Sequence, residues 1–290
     1  MIVSVDAYAK INLFLDIDSI RDDGYHNIIS YMQSVTLHDT VSVEHKSSDT
    51  KSISLFCDNP DIPCDKSNLA YKAAEIFPVK TGSLRIDITK RIPMSAGLAG
   101  GSADAAATLI ALNEIYGSPL TQNELKILGN KLGADVPFCI EKGACIASGT
   151  GDVLKKISPM PYYPIVIARM GEGMSTPHAY KALDKKYGNF VNYSPNIDRL
   201  KILSDGAQMS IDQYSGGLFN IFESVVEPER PYVTSLKKIM KDNGAVSSMM
   251  SGSGTAVFGI FKNESDARNA EKELASSGAF AAVCYPFYKE

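Results

Sequence analysis

A chain of 290 residues, 44% hydrophobic and 21% charged, is long enough for two ordinary domains and has the balance of a soluble globular protein. Its formal net charge of −4, with lysines and arginines scattered along the chain, gives no electrostatic basis for binding nucleic acid. No apolar run is long enough to span a bilayer, and "MIVSVDAYAKINLFLDI" at the start lacks a basic lead and a small-residue cleavage site, so a cytoplasmic protein without a membrane partner is expected.

Taken in chain order, "INLFLDI" (11–17), "MQSVTLHDTVSVEH" (32–45) and "SISLFCD" (52–58) alternate or are β-branched and predict strands. Within the first, Lys10 and Asn12 fall on one face, because alternate strand residues point the same way; a snorkelling surface lysine is the plain alternative. The turn "RDDGYHNI" sets Tyr25 beside His26, either as a binding pair or as a simple hairpin connection. "SNLAYKAAEIF" (67–77) has helical spacing, and "SLRIDITKRI" (83–92) returns to a strand.

That strand runs into "PMSAGLAGGSADAA" (93–106), where glycines leave the backbone amides unshielded and Ser102 is the expected N-cap of an amphipathic helix. A glycine loop feeding a helix N-terminus suits an anion such as phosphate, although a tight strand-to-helix turn has the same composition. The Walker pattern G-x-x-x-x-G-K-[ST] and a strand followed by G-x-G-x-x-G are both missing from the sequence, so this loop is of another type.

The next helix, "TQNELKILGNKLG" (121–133), opens with a capping box of Thr121 and Glu124, and Gly133 is expected to end it. Beyond it, "LGADVPFCI" surrounds Asp135 with apolar residues. A carboxylate so placed is either paired or functional, unless it sits at an exposed helix end. "SPMPYYP" (158–164), with three prolines in seven residues, is the expected boundary between domains 1–157 and 158–290. The second half alternates strands ("IVIARM", "VSSMMSGSG", "TAVFGIF", "AFAAVCYPF") with helices ("TPHAYKALDKK", "IDRLKILSDG", "RPYVTSLKKIMKDNG", "SDARNAEKELASSG"), an α+β order with helices on one face of an antiparallel sheet. Five cysteines without C-x-x-C spacing and four histidines without an H-x-x-x-H pair suggest neither a disulfide framework nor a zinc site.

Together these islands resemble a known family. "PMSAGLAGGSADAA" is similar to the ATP-phosphate loop of the GHMP kinases, the galactokinase, homoserine, mevalonate and phosphomevalonate kinase group, and "MMSGSGTAVFGIF" to their C-terminal glycine motif. "AYAKINLFLDI", "RDDGYHNIISYMQSVTLHDTV", "LGADVPFCI" and "ASGTGDVL" resemble the branch that phosphorylates a cytidine diphosphate-linked sugar alcohol in the non-mevalonate isoprenoid pathway. The resemblance implies an α+β fold of two domains, the first like ribosomal protein S5 domain 2 and the second ferredoxin-like. It also implies ATP as co-substrate with Mg²⁺. Lys10 and Asp135 would be catalytic, and Asn12, Tyr25, His26, Thr176 and Tyr180 would hold the substrate, with the base between two aromatic rings. Asn68, Pro93, Ala96, Gly97, Leu98, Ala99, Gly100, Gly101, Ser102 and Ala103 would hold ATP.

This chain departs from the family pattern in having Ala99 and Ala103 where glycine and a second serine are common, and Asp152 where glutamate is usual. No protein ligand for a metal is assigned. The competing readings are another small-molecule kinase or diphosphate decarboxylase of the same family, for which a Tyr–His base reader has no use, and a non-catalytic nucleotide sensor, for which Lys10 and Asp135 have none.

Overall fold

The computed structural model describes residues 1–79, 81–190, 193, 195–205 and 209–288. In chain order its elements are β1 (Ile2–Ile20), β2 (His26–Lys46), β3 (Ser52–Cys57), α1 (Leu69–Ile76), β4 (Ser83–Thr89), α2 (Gly100–Ile115), α3 (Gln122–Asn130), α4 (Val136–Glu141), β5 (Ala144–Ser148), β6 (Val153–Lys156), β7 (Ile165–Arg169), α5 (Thr176–Tyr187), α6 (Ile197–Asp205), α7 (Ile211–Ser215), β8 (Phe219–Asn220), α8 (Glu223–Glu229), α9 (Pro231–Asp242), β9 (Ser247–Met250), β10 (Val257–Ile260), α10 (Glu264–Ser276) and β11 (Phe280–Cys284). Gly206, the last residue of the expected "IDRLKILSDG" helix, lies outside the described residues. The chain folds into two compact units. One comprises Met1–Ala9, His38–Met94 and Ala99–Lys142, and the other Lys10–Leu37, Ser95–Leu98 and Gly143–Glu290. β1 and β2 are long enough to contribute to both.

In the first unit, β3 pairs in parallel with β4, which runs antiparallel to the second half of β2. Alternation puts Leu84, Ile86 and Ile88 of β4 and Val41 and Val43 of β2 into the core. α1 and α2 meet them with Ala70, Ala73 and Ala74 and with Ala103, Ala106 and Ala107, small side chains that allow close approach. α2 differs from expectation in two ways. It is buried on almost every side rather than along one stripe, with Ala103 to Leu109 all inaccessible. It also begins at Gly100, two residues before the expected cap, with Ala99 as N-cap in the left-handed region (φ 58°) and no side-chain cap.

α1 is capped by Asn68, whose side chain accepts the N–H of Ala70. α3 carries both bonds of the Thr121–Glu124 capping box, but stops at Asn130 rather than at Gly133. The carbonyl of Gly133 instead accepts the N–H of Val136 at 3.1 Å, in the turn that opens α4.

In the second unit, β8 lies parallel to β1, and the first half of β2 pairs with β5, which pairs with β6. A separate four-stranded sheet has the order β11-β7-β10-β9, antiparallel at every join. Numbered by sequence within that sheet, the order is 4-1-3-2, as a ferredoxin-like domain requires. Its strands share one core with residues of α5, α8, α9 and α10, including Ala179, Val226, Leu236 and Leu274.

Candidate active site

The first unit supplies the end of the glycine loop and the residues that pin it. β4 ends at Thr89, and the Lys90 ammonium that follows is buried between two carboxylates, bonding to Asp39 and, at 2.8 Å, to Asp104 on α2. Asp39 also accepts the N–H of Arg91 at 2.5 Å and of Ile92 at 2.8 Å. The cluster therefore ties the exit of β4 to the second turn of α2. Burial raises the Asp104 carboxyl to about 7, opposed by the Lys90 charge and assisted by that of Asp39.

Pro93, half-buried, carries the chain onward. At the start of α2 the first amides have no side-chain cap, and the Ala103 N–H is the first to bond back, to the carbonyl of Ala99 at 2.8 Å. Gly100, Gly101 and Ser102 thus open the helix at its positive end. Asn68 has both ends of its amide engaged within its own unit, Oδ1 by Ala70 and Nδ2 by the carbonyl of Pro63 at 2.9 Å. Asp135 is the half-buried N-cap of α4 and makes no side-chain capping bond, while Val136, Phe138, Cys139 and Ile140 behind it are buried.

The second unit brings together residues far apart in sequence. Lys10 is 4% exposed, which excludes a snorkelling surface lysine. Its Nζ donates to Asn12 Oδ1 at 2.5 Å, and Asn12 Nδ2 donates to Ser30 Oγ at 2.8 Å. The backbone of β1 beside them is joined to the segment Ser95–Leu98, with the Lys10 N–H donating to the carbonyl of Leu98 at 3.1 Å.

The second glycine motif is the turn between β9 and β10, and it also binds this segment. Ser251 Oγ donates to the carbonyl of Gly97 at 3.0 Å, and the Ala256 N–H to that of Ala96 at 3.0 Å. Gly97 has φ +75°, and a Cβ there would lie 2.1 Å from the Ser251 carbonyl oxygen. Asn220 Nδ2 holds the turn from beneath, donating to the carbonyls of Met250 and Gly252. Sequence reading missed Asn220, because a two-residue strand with an asparagine carries no motif.

Tyr25 is 67% exposed at the end of the β1–β2 turn, whereas His26 is 8% exposed. The His26 Nε2 lies 2.7 Å from Asp184 Oδ1, and its ring packs on Tyr180 (centroids 4.7 Å apart) and edge-on to Phe190 (5.7 Å). The histidine is therefore a buried, partnered group rather than a surface residue of a hairpin. Tyr180 stands one turn after Thr176 on α5, and Thr176 Oγ1 is 2.9 Å from Ser253 Oγ of the glycine turn. Asp152, in place of glutamate, accepts the N–H of Thr150 at 3.2 Å and its hydroxyl at 2.9 Å, closing the turn before β6.

Comparison with known proteins places the chain. Residues 68–143 match the GHMP kinases N terminal domain, and residues 196–279 the GHMP kinases C terminal domain. A 4-diphosphocytidyl-2-C-methyl-D-erythritol kinase of Caldicellulosiruptor saccharolyticus is 43% identical over 92% of this chain and 91% of its own. One from Acaryochloris marina is 38% identical over 94% and 92%. A crystal structure of 4-(cytidine 5'-diphospho)-2C-methyl-D-erythritol kinase superposes with a TM-score of 0.80 at 29% identity, covering 99% of this chain and all of that one. The chain belongs to the GHMP kinase family, and within it to the group of the 4-diphosphocytidyl-2-C-methyl-D-erythritol kinases.

Proposed function

We propose that this chain transfers the γ-phosphoryl group of ATP to the 2-hydroxyl of 4-diphosphocytidyl-2-C-methyl-D-erythritol, in the non-mevalonate route to isoprenoids. The observation that carries the reading is the buried Lys10–Asn12 pair set against the Ser95–Leu98 segment, itself bound to the second glycine turn. A buried ammonium whose nearest bond is to a neutral amide oxygen is a costly arrangement for structure alone, and it suits a group that meets an anion during turnover.

In this reading Asp135 takes the proton of the attacking hydroxyl, and Lys10 neutralises charge on the transferring phosphoryl group. Asn12 and Thr176 orient the substrate, while Tyr25, His26 and Tyr180 hold its cytosine. Residues 96 to 103 bind the ATP phosphates through backbone amides and the start of α2, with Pro93 shaping the entry and Asn68 contacting the adenosine. Phosphoryl transfer asks mainly for positioning and charge neutralisation, which fits a loop so poor in side chains.

Among the described residues, no group of three or more His, Cys, Asp or Glu is placed to hold a metal ion. Mg²⁺ commonly binds through substrate phosphates with one or two carboxylates, and in this reading it arrives with ATP, bound to the phosphates as their counter-ion. Supplying ATP with the cytidine substrate, mevalonate and homoserine in parallel tests the reading. Phosphorylation of the cytidine substrate alone is the expected result, and preference for either aliphatic alcohol refutes it.

A further inference from the structure

His26 and Asp184 are 158 residues apart in sequence, yet their side chains meet at 2.7 Å with the imidazole almost wholly buried. A carboxylate oxygen only accepts, so the nitrogen facing it carries the proton. In a neutral imidazole the proton on Nε2 leaves a lone pair on Nδ1, and the partner of one nitrogen thereby fixes what the other offers. Tyr180 and Phe190 pack the ring at 4.7 Å and 5.7 Å between centroids, which opposes a flip that would exchange the two nitrogens.

We propose that Asp184 is a positioning residue that sets the His26 tautomer and so determines which pyrimidine the enzyme accepts. The inference rests on the reading above that His26 contacts the base. With Nε2–H held by Asp184, Nδ1 accepts a hydrogen bond from an exocyclic amine, which cytosine presents and uracil replaces with a carbonyl. A carbonyl there opposes one lone pair to another, and a site built around a hydrogen bond discriminates strongly against a ligand that cannot complete it. Asp184 touches no substrate in this scheme; its effect passes through the ring.

Asp184→Asn is the informative variant. Its amide keeps the shape but can donate to Nε2, which moves the proton to Nδ1 and turns the acceptor into a donor, as when the carboxylate of a catalytic triad is replaced by an amide. In full-length protein with ¹⁵N-labelled histidine, the His26 signal, identified by its loss in His26→Ala, should report Nε2–H in the wild type and Nδ1–H in Asp184→Asn. The ratio of kcat/KM for the cytidine substrate over its uridine counterpart should fall at least about tenfold in Asp184→Asn and in Asp184→Ala, with kcat at saturating cytidine substrate nearly unchanged.

An Nδ1–H tautomer in the wild type overturns the proposal. So does an unchanged ratio in both Asp184 variants when His26→Ala abolishes discrimination, a result that leaves base reading by His26 standing. If His26→Ala itself leaves the ratio unchanged, base reading fails and this proposal fails with it. Should Asp184→Ala not fold, the near-isosteric Asp184→Asn carries the test alone.

Discussion

The two glycines Gly97 and Gly101, both in the loop assigned to ATP, should respond to one added methyl group in opposite ways. At Gly97 an alanine inherits φ +75°, which costs an L-residue roughly 1–2 kcal/mol. Its Cβ would also stand 2.1 Å from the Ser251 carbonyl oxygen, and because both partners are backbone the strain is of the overpacking kind, roughly 1–3 kcal/mol. The sum, roughly 2–5 kcal/mol, is a large part of the roughly 5–15 kcal/mol that holds a typical protein folded. At about 2–4 °C per kcal/mol, Gly97→Ala should lower Tm by about 4–20 °C.

Gly101 is exposed in the first turn of α2, and the nearest atom to an added Cβ is Leu69 Cδ1 at 3.8 Å, an ordinary contact. Alanine is the better helix former by about 0.5–1 kcal/mol, so Gly101→Ala should keep or raise Tm. If ATP phosphates approach this turn as closely as proposed, the same methyl should weaken ATP binding about tenfold or more, without affecting binding of the cytidine substrate. Scanning calorimetry and titration calorimetry read the two effects separately. A wild-type Tm for Gly97→Ala refutes the packing argument, and unchanged ATP affinity in Gly101→Ala removes the start of α2 from the phosphate site. Gly100 is a poorer probe, since its Cβ would meet Ile92 Cγ2 at 3.1 Å and Lys90 Nζ at 3.4 Å, mixing stability with binding.

Asp135→Asn should lower kcat by about a hundredfold or more with little change in KM, and little change in Tm, because the side chain makes no capping bond to lose; turnover near the wild-type value excludes Asp135 as the base. Tyr25→Ala should raise KM for the cytidine substrate by about tenfold, leaving ATP affinity and Tm intact, since the ring is exposed and stacking on a base is worth about 1–3 kcal/mol; an unchanged KM removes Tyr25 from the base site. Asp104 has its folded pKa raised from 3.8 to about 7, so between those values the native state binds more protons than the unfolded one and stability declines as pH rises. Thermal unfolding between pH 4 and pH 8 should show a decline that Asp104→Asn flattens, and parallel profiles for the two proteins contradict the assignment.

Part of what the sequence disclosed came through local rules. Strand alternation put Lys10 and Asn12 on one face, and the capping-box spacing placed the start of α3. The ferredoxin-like order β11-β7-β10-β9 followed from a family resemblance rather than from any local signal. Where local rules failed, tertiary contacts prevailed. Serine is the preferred N-cap, yet α2 starts before Ser102, because the buried alanines from Ala103 onward and the pinned exit of β4 fix where the helix must begin. Ala99 then takes a left-handed conformation that glycine would adopt without strain. Likewise, nothing in the hairpin composition of "RDDGYHNI" indicates that His26 meets an aspartate on a helix in the second half of the chain.

The Lys90 cluster is the clearest case of a feature hidden from sequence. Asp39 and Asp104 lie 51 and 14 residues from Lys90, at no motif spacing, and three buried ionisable groups are a pattern that composition alone argues against. Two ionised carboxylates around one ammonium would leave a net buried charge, so one of them has to yield. Asp39 receives two backbone N–H groups besides Lys90. Asp104 has one oxygen on Lys90 and the other, Oδ1, buried without a hydrogen-bond partner, so it is the group whose proton affinity rises. The division of labour follows from backbone geometry: the amides of Arg91 and Ile92 turn toward Asp39 because the chain bends there to leave β4 and enter the loop. The bend that presents the glycine segment also decides which carboxylate is left with a buried, unbonded oxygen.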